Sequence, residues 1–263
     1  MILDLFRLDG RSAIVTGAGK GIGRAIALAF AEAGASVVAA ARTQADIDDT
    51  ANEIVKRGGR ALAIACDVMQ REQLENLVAR TLAELGRIDV LVNNAGGSPP
   101  KPALRTSERE FETAFRFNVT TAFLLTRLAV PKMVESAGGG CVINISSVAG
   151  RENAPGFVAY GTAKAALSFM TKELAQDFAP RVRVNAIAVG SVETDALATV
   201  LTPEIKQTMV AMTPLARLGR VEDIAACALY LASPAASYVT GEIVGVSGGL
   251  VGLNMRMPRA FDE

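Results

Sequence analysis

The feature that most constrains this chain is an alternation. Short apolar runs rich in Val, Ile and Ala are followed, again and again, by stretches with helical periodicity. Residues 13–15, 36–41, 61–65, 90–92, 141–145, 182–187 and 243–246 read as strands. Residues 22–33, 44–57, 71–85, 111–134, 160–178 and 221–231 read as helices, the fourth of these in two pieces. Strands that alternate with helices predict an α/β fold, a doubly wound parallel sheet with helices on both faces. No linker or repeat interrupts the order, so residues 1–263 read as a single domain. Its cofactor half runs over about 10–150 and its catalytic and substrate half over about 151–263.

Composition agrees. Half of the residues are hydrophobic, mostly Ala, Val, Leu and Ile, and Trp is absent. Such a chain suits parallel strands buried on both faces. Lys plus Arg equals Asp plus Glu at 27 each, and no basic stripe points to nucleic acid. Residues 224–241 lack charges but contain Pro234, Ser233, Ser237 and Thr240. They read as a helix, a turn and the start of a strand, with no membrane span. Cys66, Cys141 and Cys227 are too few and too scattered for a disulfide framework, and point to a reducing cytoplasm. The N-terminus is too short and too charged for a signal peptide. No His and no C-x-x-C occurs, so no metal site is expected.

Thr16-Gly17-Ala18-Gly19-Lys20-Gly21-Ile22-Gly23 stands between the first strand and the first helix. Glycines there permit a tight turn and close approach of a pyrophosphate, and the helix N-terminus offers free N–H groups. The spacing is Gly-x-x-x-Gly-x-Gly, at 17, 21 and 23, and no Gly-Lys-Ser/Thr follows, which excludes a P-loop. A nicotinamide dinucleotide is the expected ligand. The second strand ends Ala41-Arg42-Thr43, with no carboxylate between Glu32 and Asp46 to hold a ribose diol. Arg42 offers a planar fork suited to phosphate, and Lys20 can reach the same group. NADP(H) is therefore expected over NAD(H).

Without His, proton transfer must fall to another group. Tyr160-Gly-Thr-Ala-Lys164 places a phenol and an ammonium one helical turn apart, and Ser147 lies thirteen residues before Tyr160. Positive charge beside the phenol favours phenolate, and a Ser hydroxyl can donate to charge developing on a substrate oxygen.

These motifs stand in a fixed order. The glycine loop is followed by Asp67-Val68, Asn93-Asn94-Ala95-Gly96, Asn118-Val119, Ile145-Ser146-Ser147, Tyr160-x-x-x-Lys164 and Arg183-Val184-Asn185. The set resembles the short-chain dehydrogenase/reductase family over nearly the whole chain. The resemblance implies a Rossmann-type fold and a catalytic tetrad of Asn118, Ser147, Tyr160 and Lys164. In the mechanism it implies, Ser147 orients the substrate oxygen and Tyr160 exchanges a proton with it. Lys164 binds the nicotinamide ribose and lowers the Tyr pKa, while Asn118 holds a water linking Lys164 to solvent. Asp67 and Val68 would meet the adenine end, and Asn94, Ala95 and Gly96 would lie along the cofactor. Thr194 would meet the carboxamide, with Val192 beside it. Asn93 and Ser146 are expected to be structural. One departure is Val189-Gly190, where the family usually has Pro-Gly. The family also implies a homotetramer.

Residues 191–218 should cover the site in this family, and Ala196, Leu197, Val200, Leu201, Ile205, Met209, Val210 and Met212 suit a lipophilic substrate. Asn93-Asn-Ala-Gly-Gly97 and Leu201-Thr-Pro-Glu-Ile205, among other stretches, are similar to bacterial 7α-hydroxysteroid dehydrogenases. The expected activity is interconversion of a secondary alcohol and a ketone, on a small, lipophilic, steroid-like substrate. A 3-oxoacyl-thioester reductase is the alternative, with Lys101, Arg105 and Arg151 as a basic rim for an acyl carrier. A non-catalytic nucleotide-binding sensor or scaffold is the alternative of another class.

Overall fold

The computed structural model describes residues 1–194, 197, 201–255, 257, 259 and 261. Seven strands form one sheet: β1 (Ser12–Thr16), β2 (Ser36–Ala41), β3 (Arg60–Ala65), β4 (Val90–Asn93), β5 (Gly140–Ser147), β6 (Val182–Val189) and β7 (Ile243–Val246). Their order is β3-β2-β1-β4-β5-β6-β7, and every pairing is parallel. The helices are α1 (Gly21–Glu32), α2 (Gln44–Lys56), α3 (Arg71–Leu85), α4 (Glu108–Phe115), α5 (Thr121–Ala137), α6 (Val158–Phe178), α7 (Pro203–Ala211) and α8 (Val221–Ala232).

The pleat divides the core in two. Val15 of β1 and Val92 of β4 face Ile26 and Phe30 of α1, Ile47 and Ile54 of α2, and Ile224 of α8. Their neighbours Ile14 and Leu91 face the opposite side, with Leu74 and Leu77 of α3 and Leu125 and Met133 of α5. Side chains one residue apart point to opposite faces of a strand, so the central strands β1, β2, β4, β5 and β6 serve both cores and are largely apolar.

Strand order reverses between β1 and β4. In such sheets the crevice lies outside the carboxyl ends of the strands at that point. The glycine loop leaves β1 there and Asn94-Ala95-Gly96 leaves β4 beside it. Arg42 follows β2, Ser147 ends β5, and Gly190 to Thr194 follow β6. The strand over 141–145 is longer than its apolar run suggests, because Ser146 and Ser147 continue the pairing with Ala188 and Val189. Val189 therefore takes ordinary strand backbone and needs no proline to fix it.

Candidate active site

The glycine loop is held by packing that only glycine allows. Gly17 and Gly21 have φ of 64° and 54°, in the left-handed region. A Cβ at Gly17 would stand 2.7 Å from Asn94 Nδ2, and one at Gly23 would overlap the Gly17 carbonyl oxygen. Asn94 Nδ2 donates to the Thr16 carbonyl at 2.8 Å. Thr16 Oγ1 accepts from the backbone N–H groups of Asn94 and Ala95, both at 3.0 Å. Asn94 thus braces the loop with its amide while its body lines the crevice.

Two adjoining cavities run along this crevice. One, about 300 Å³, includes Gly17, Arg42, Asp67, Val68 and Ala95 in its lining. The other, about 540 Å³, includes Gly21, Ile22, Gly23, Ser147, Tyr160, Lys164, Val192 and Thr194. Lys20, Asn94 and Gly96 line both. Every expected cofactor residue therefore borders one continuous path, with the free N–H groups of the α1 N-terminus at its middle. The length, the glycine-lined floor and the helix terminus fit an extended dinucleotide. Asp67 also holds its own turn, accepting from the Met69 N–H at 3.0 Å.

Ser147, Tyr160 and Lys164 meet in the larger cavity. Lys164 is buried, its Nζ donating to the Ile145 carbonyl at 2.7 Å and lying 5.7 Å from the centre of the Tyr160 ring. Burial brings its ammonium from the ordinary 10.5 down to about 7. Burial also pushes the Tyr160 phenol up, and a hydrogen bond with Ser147 pulls the other way without overcoming it. The net direction is opposite to the lowered Tyr160 pKa expected from Lys164. Ser147 Oγ also accepts from the Ala149 N–H at 3.1 Å.

Asn118 is buried and is not among the residues lining either cavity. Its Oδ1 accepts from Gly97 N–H at 2.8 Å, and its Nδ2 donates to the Gly97 carbonyl at 3.0 Å and the Ala114 carbonyl at 2.8 Å. The last bond takes the carbonyl that a regular α-turn would give to the Asn118 N–H. The helix widens there into a π-turn over Arg116–Thr120. The Asn118 side-chain amide is thus engaged by backbone, and it fixes the Gly96-Gly97 turn. A Cβ at Gly96 would lie 2.7 Å from Asn118 Oδ1 and 3.2 Å from Lys164 Nζ.

Asn93 and Ser146, expected to be structural, both bond within the fold, and Ser146 also lines the larger cavity. Asn93 Nδ2 donates to Thr126 Oγ1 and Asn144 Oδ1, a buried ladder across β4 and β5. Ser146 Oγ bonds the Lys164 carbonyl and Ser168.

Two contributors escape a linear reading. Asp46, in the first turn of α2, lines the smaller cavity with Arg42 and pairs with Lys20 at 3.3 Å. A Cβ at Gly19 would stand 2.7 Å from its Cβ, so α2 sits directly on the glycine loop. Leu253, Asn254 and Met255 line the larger cavity although they lie near the C-terminus. Of the expected cover, Leu197 lines that cavity as well. Ala196 and Val200 lie outside the described residues, and Ile205, Met209 and Val210 of the expected cover stand on α7, which the sequence reading did not identify as a helix.

A glycine-loop dinucleotide crevice that leads to a Ser, Tyr and Lys cluster defines a nicotinamide-type oxidoreductase of Rossmann architecture. The comparisons agree. A family model described as enoyl-(acyl carrier protein) reductase matches residues 17–251. The chain is 44% identical over 247 residues to the 7α-hydroxysteroid dehydrogenase of Escherichia coli K12, covering 94% of this chain and 96% of that one. It is 37% identical over 246 residues to a 3-oxoacyl-[acyl-carrier-protein] reductase of Thermotoga maritima, covering 93% and 99%. A solved structure of 7α-hydroxysteroid dehydrogenase with NADH and 7-oxo glycochenodeoxycholic acid superposes with a TM-score of 0.92 at 43% identity, covering 96% and 98%. The chain belongs to the short-chain dehydrogenase/reductase family. It is an oxidoreductase acting on hydroxyl and keto groups, with a nucleotide cofactor.

Proposed function

We propose that this protein interconverts a secondary alcohol and a ketone on a lipophilic, hydroxysteroid-like substrate, with NADP(H) favoured over NAD(H). The observation that supports it most is the meeting of Ser147, Tyr160 and Lys164 in the cavity that the glycine loop enters. Gly17 to Gly23 and Asn94 to Gly96 would hold the dinucleotide, with Arg42 and Lys20 at a 2′-phosphate. When bound, the nicotinamide supplies or accepts the hydride.

In the reducing direction the Tyr160 phenol donates its proton to the ketone oxygen as charge builds there. The raised phenol pKa keeps Tyr160 protonated at neutral pH, so the proton is present to be donated. Ser147 Oγ donates a hydrogen bond to the same oxygen. Lys164 would hold the nicotinamide ribose hydroxyls, and in its protonated form would favour phenolate at Tyr160 after transfer. With its pKa near 7, it can exchange protons at neutral pH and restore the phenol. Asn118 acts as a positioning residue, through the turn it fixes beside Lys164.

A lipophilic substrate is supported by Phe157, Leu197, Leu253 and Met255 around the larger cavity, and by the 7α-hydroxysteroid dehydrogenase relative. The acyl-carrier alternative rests on the Thermotoga relative. Its basic rim is weak, because Lys101 is paired with Glu110 at 2.6 Å. We place the enzyme in the cytoplasm as a homotetramer. Phe111, Phe115, Phe123 and Phe169 stand exposed on α4, α5 and α6, an apolar surface suited to a subunit contact. Oxidation of NADPH and of NADH against steroid ketones, an acetoacetyl thioester and simple diketones tests the reading. Turnover of a steroid ketone with NADPH is expected. Turnover confined to the thioester would replace the substrate class, and turnover of none with tight NADPH binding would favour a non-catalytic sensor.

A further inference from the structure

The C-terminal segment does more than follow β7. Asn254 is buried and ties three parts of the chain together. Its Nδ2 donates to the Met209 carbonyl at 3.1 Å and to Thr213 Oγ1 at 3.0 Å, and its Oδ1 accepts from Ser191 Oγ at 2.5 Å. Met209 lies in α7 and Thr213 just beyond it, while Ser191 follows β6 at the catalytic cavity. Thr213 is itself fixed, its Oγ1 donating to the Met209 carbonyl at 2.7 Å. The residues on either side of Asn254, Leu253 and Met255, border the cavity that holds Ser147 and Tyr160. Farther on, Met257 packs against Gly156, where a Cβ would stand 3.2 Å from the Met257 Cβ and Cγ. Gly156 precedes Phe157, another lining residue, and its carbonyl accepts from Lys101 N–H at 2.7 Å. The segment therefore bridges from α7 on one side of the cavity to the loop before α6 on the other.

We propose that Leu253 and Met255 are specificity-determining residues that wall the substrate cavity, and that Asn254 is the positioning residue that joins this wall to α7. The inference rests on the reading of the cavity as the hydride-transfer site. A buried amide with all its partners supplied by α7 and Ser191 couples the two covers, so loosening one loosens the other. Apolar side chains at 253 and 255 select for ketones with apolar bulk beyond the reacting carbon.

The test uses the full-length protein, Leu253→Ala/Met255→Ala and Asn254→Ala. NADPH or NADH is first titrated by its fluorescence on binding, and the bound nicotinamide is then quenched with acrylamide. This arm needs no substrate. Both variants are expected to bind cofactor as the wild type does, with a bound nicotinamide roughly twofold more accessible to quencher, as expected when a packed wall is lost. In turnover, the ratio of kcat/KM for a steroid ketone over diacetyl should fall about tenfold in the double variant, through KM for the steroid. Quenching and ratio both unmoved, with cofactor bound, would overturn the inference alone. A wild type that binds neither cofactor would overturn the hydride-transfer reading and the inference with it. If Asn254→Ala does not fold, the double variant, which removes no buried polar group, decides.

Discussion

The two ends of the crevice are built on different physics. At the catalytic end, Ser147 closes a strand and Tyr160 and Lys164 stand on one helix, with Lys164 buried and both Ser147 and Lys164 tied to backbone. There, desolvation dominates, and it brings the Lys164 ammonium down to about 7. At the ribose end, Lys20, Arg42 and Asp46 come from three separate segments and remain partly exposed. Water screens each of these charges. Burial therefore sets the chemistry, and a balance of exposed charges sets which cofactor the chemistry uses.

The contrast predicts its largest effect at the buried end. Tyr160→Phe removes the transferable proton without changing the cavity's shape, and kcat should fall by about 10³-fold. Cofactor affinity, measured by nicotinamide fluorescence, should stay close to wild type. Activity retained in this variant would move the proton donor elsewhere.

The next effect appears in stability. Lys164 titrates near 7 in the folded protein and near 10.5 when exposed. Between those values the unfolded chain binds more protons than the folded one, so stability should rise with pH from about 7 upward. The contribution approaches 1.4 kcal/mol per pH unit, as an order of magnitude, within that window. Below pH 7 the penalty is present in full. Lys164→Met should flatten this slope in denaturant titrations from pH 7 to 9, whereas a parallel slope would mean that the ammonium stays charged. Above about pH 10 the raised Tyr160 phenol opposes the trend, since the unfolded chain then loses its proton first.

Legibility in the sequence follows the same divide. The strand–helix alternation identified all seven strands, because a buried parallel strand must be apolar along its whole length. That Ser147, Tyr160 and Lys164 share one cavity was legible through the family resemblance, with helix geometry setting only Tyr160 and Lys164 one turn apart. Asn118 was legible as a residue but not in its contacts, since the π-turn that turns its amide onto Gly97 leaves no mark on periodicity. Asp46 was passed over because a search along β2 ends before α2 folds back on the glycine loop. Leu253 and Met255 were hidden for a similar reason: a segment that follows the last strand shows no spacing to any motif it approaches.

The exposed end gives smaller effects. No hydrogen bond or ion pair among the described residues engages Arg42, so its guanidinium is free for a phosphate. A charge-assisted bond is worth about 1.5–3 kcal/mol, so Arg42→Ala should raise KM for NADPH by at least about tenfold. KM for NADH should change little. An equal rise for both would assign Arg42 to the adenosine they share.

The smallest effect discriminates most. Asp46 stands 3.3 Å from Lys20 and beside Arg42, so it both opposes a 2′-phosphate and draws away one of the cations that would hold it. An exposed charge at this range contributes roughly 1 kcal/mol. Asp46→Asn should accordingly lower KM for NADPH by about fivefold. The response to NADH separates two arrangements. Should KM for NADH stay put, Asp46 acts only as a brake on the phosphate, and NADP(H) is the cofactor that Arg42 and Lys20 are placed to hold. A higher KM for NADH, with NADPH unmoved, would mean that the carboxylate holds the ribose hydroxyls themselves. The ribose end would then be an NAD site whose acid comes from α2 instead of the tip of β2, and the preference inferred from Arg42 would fail.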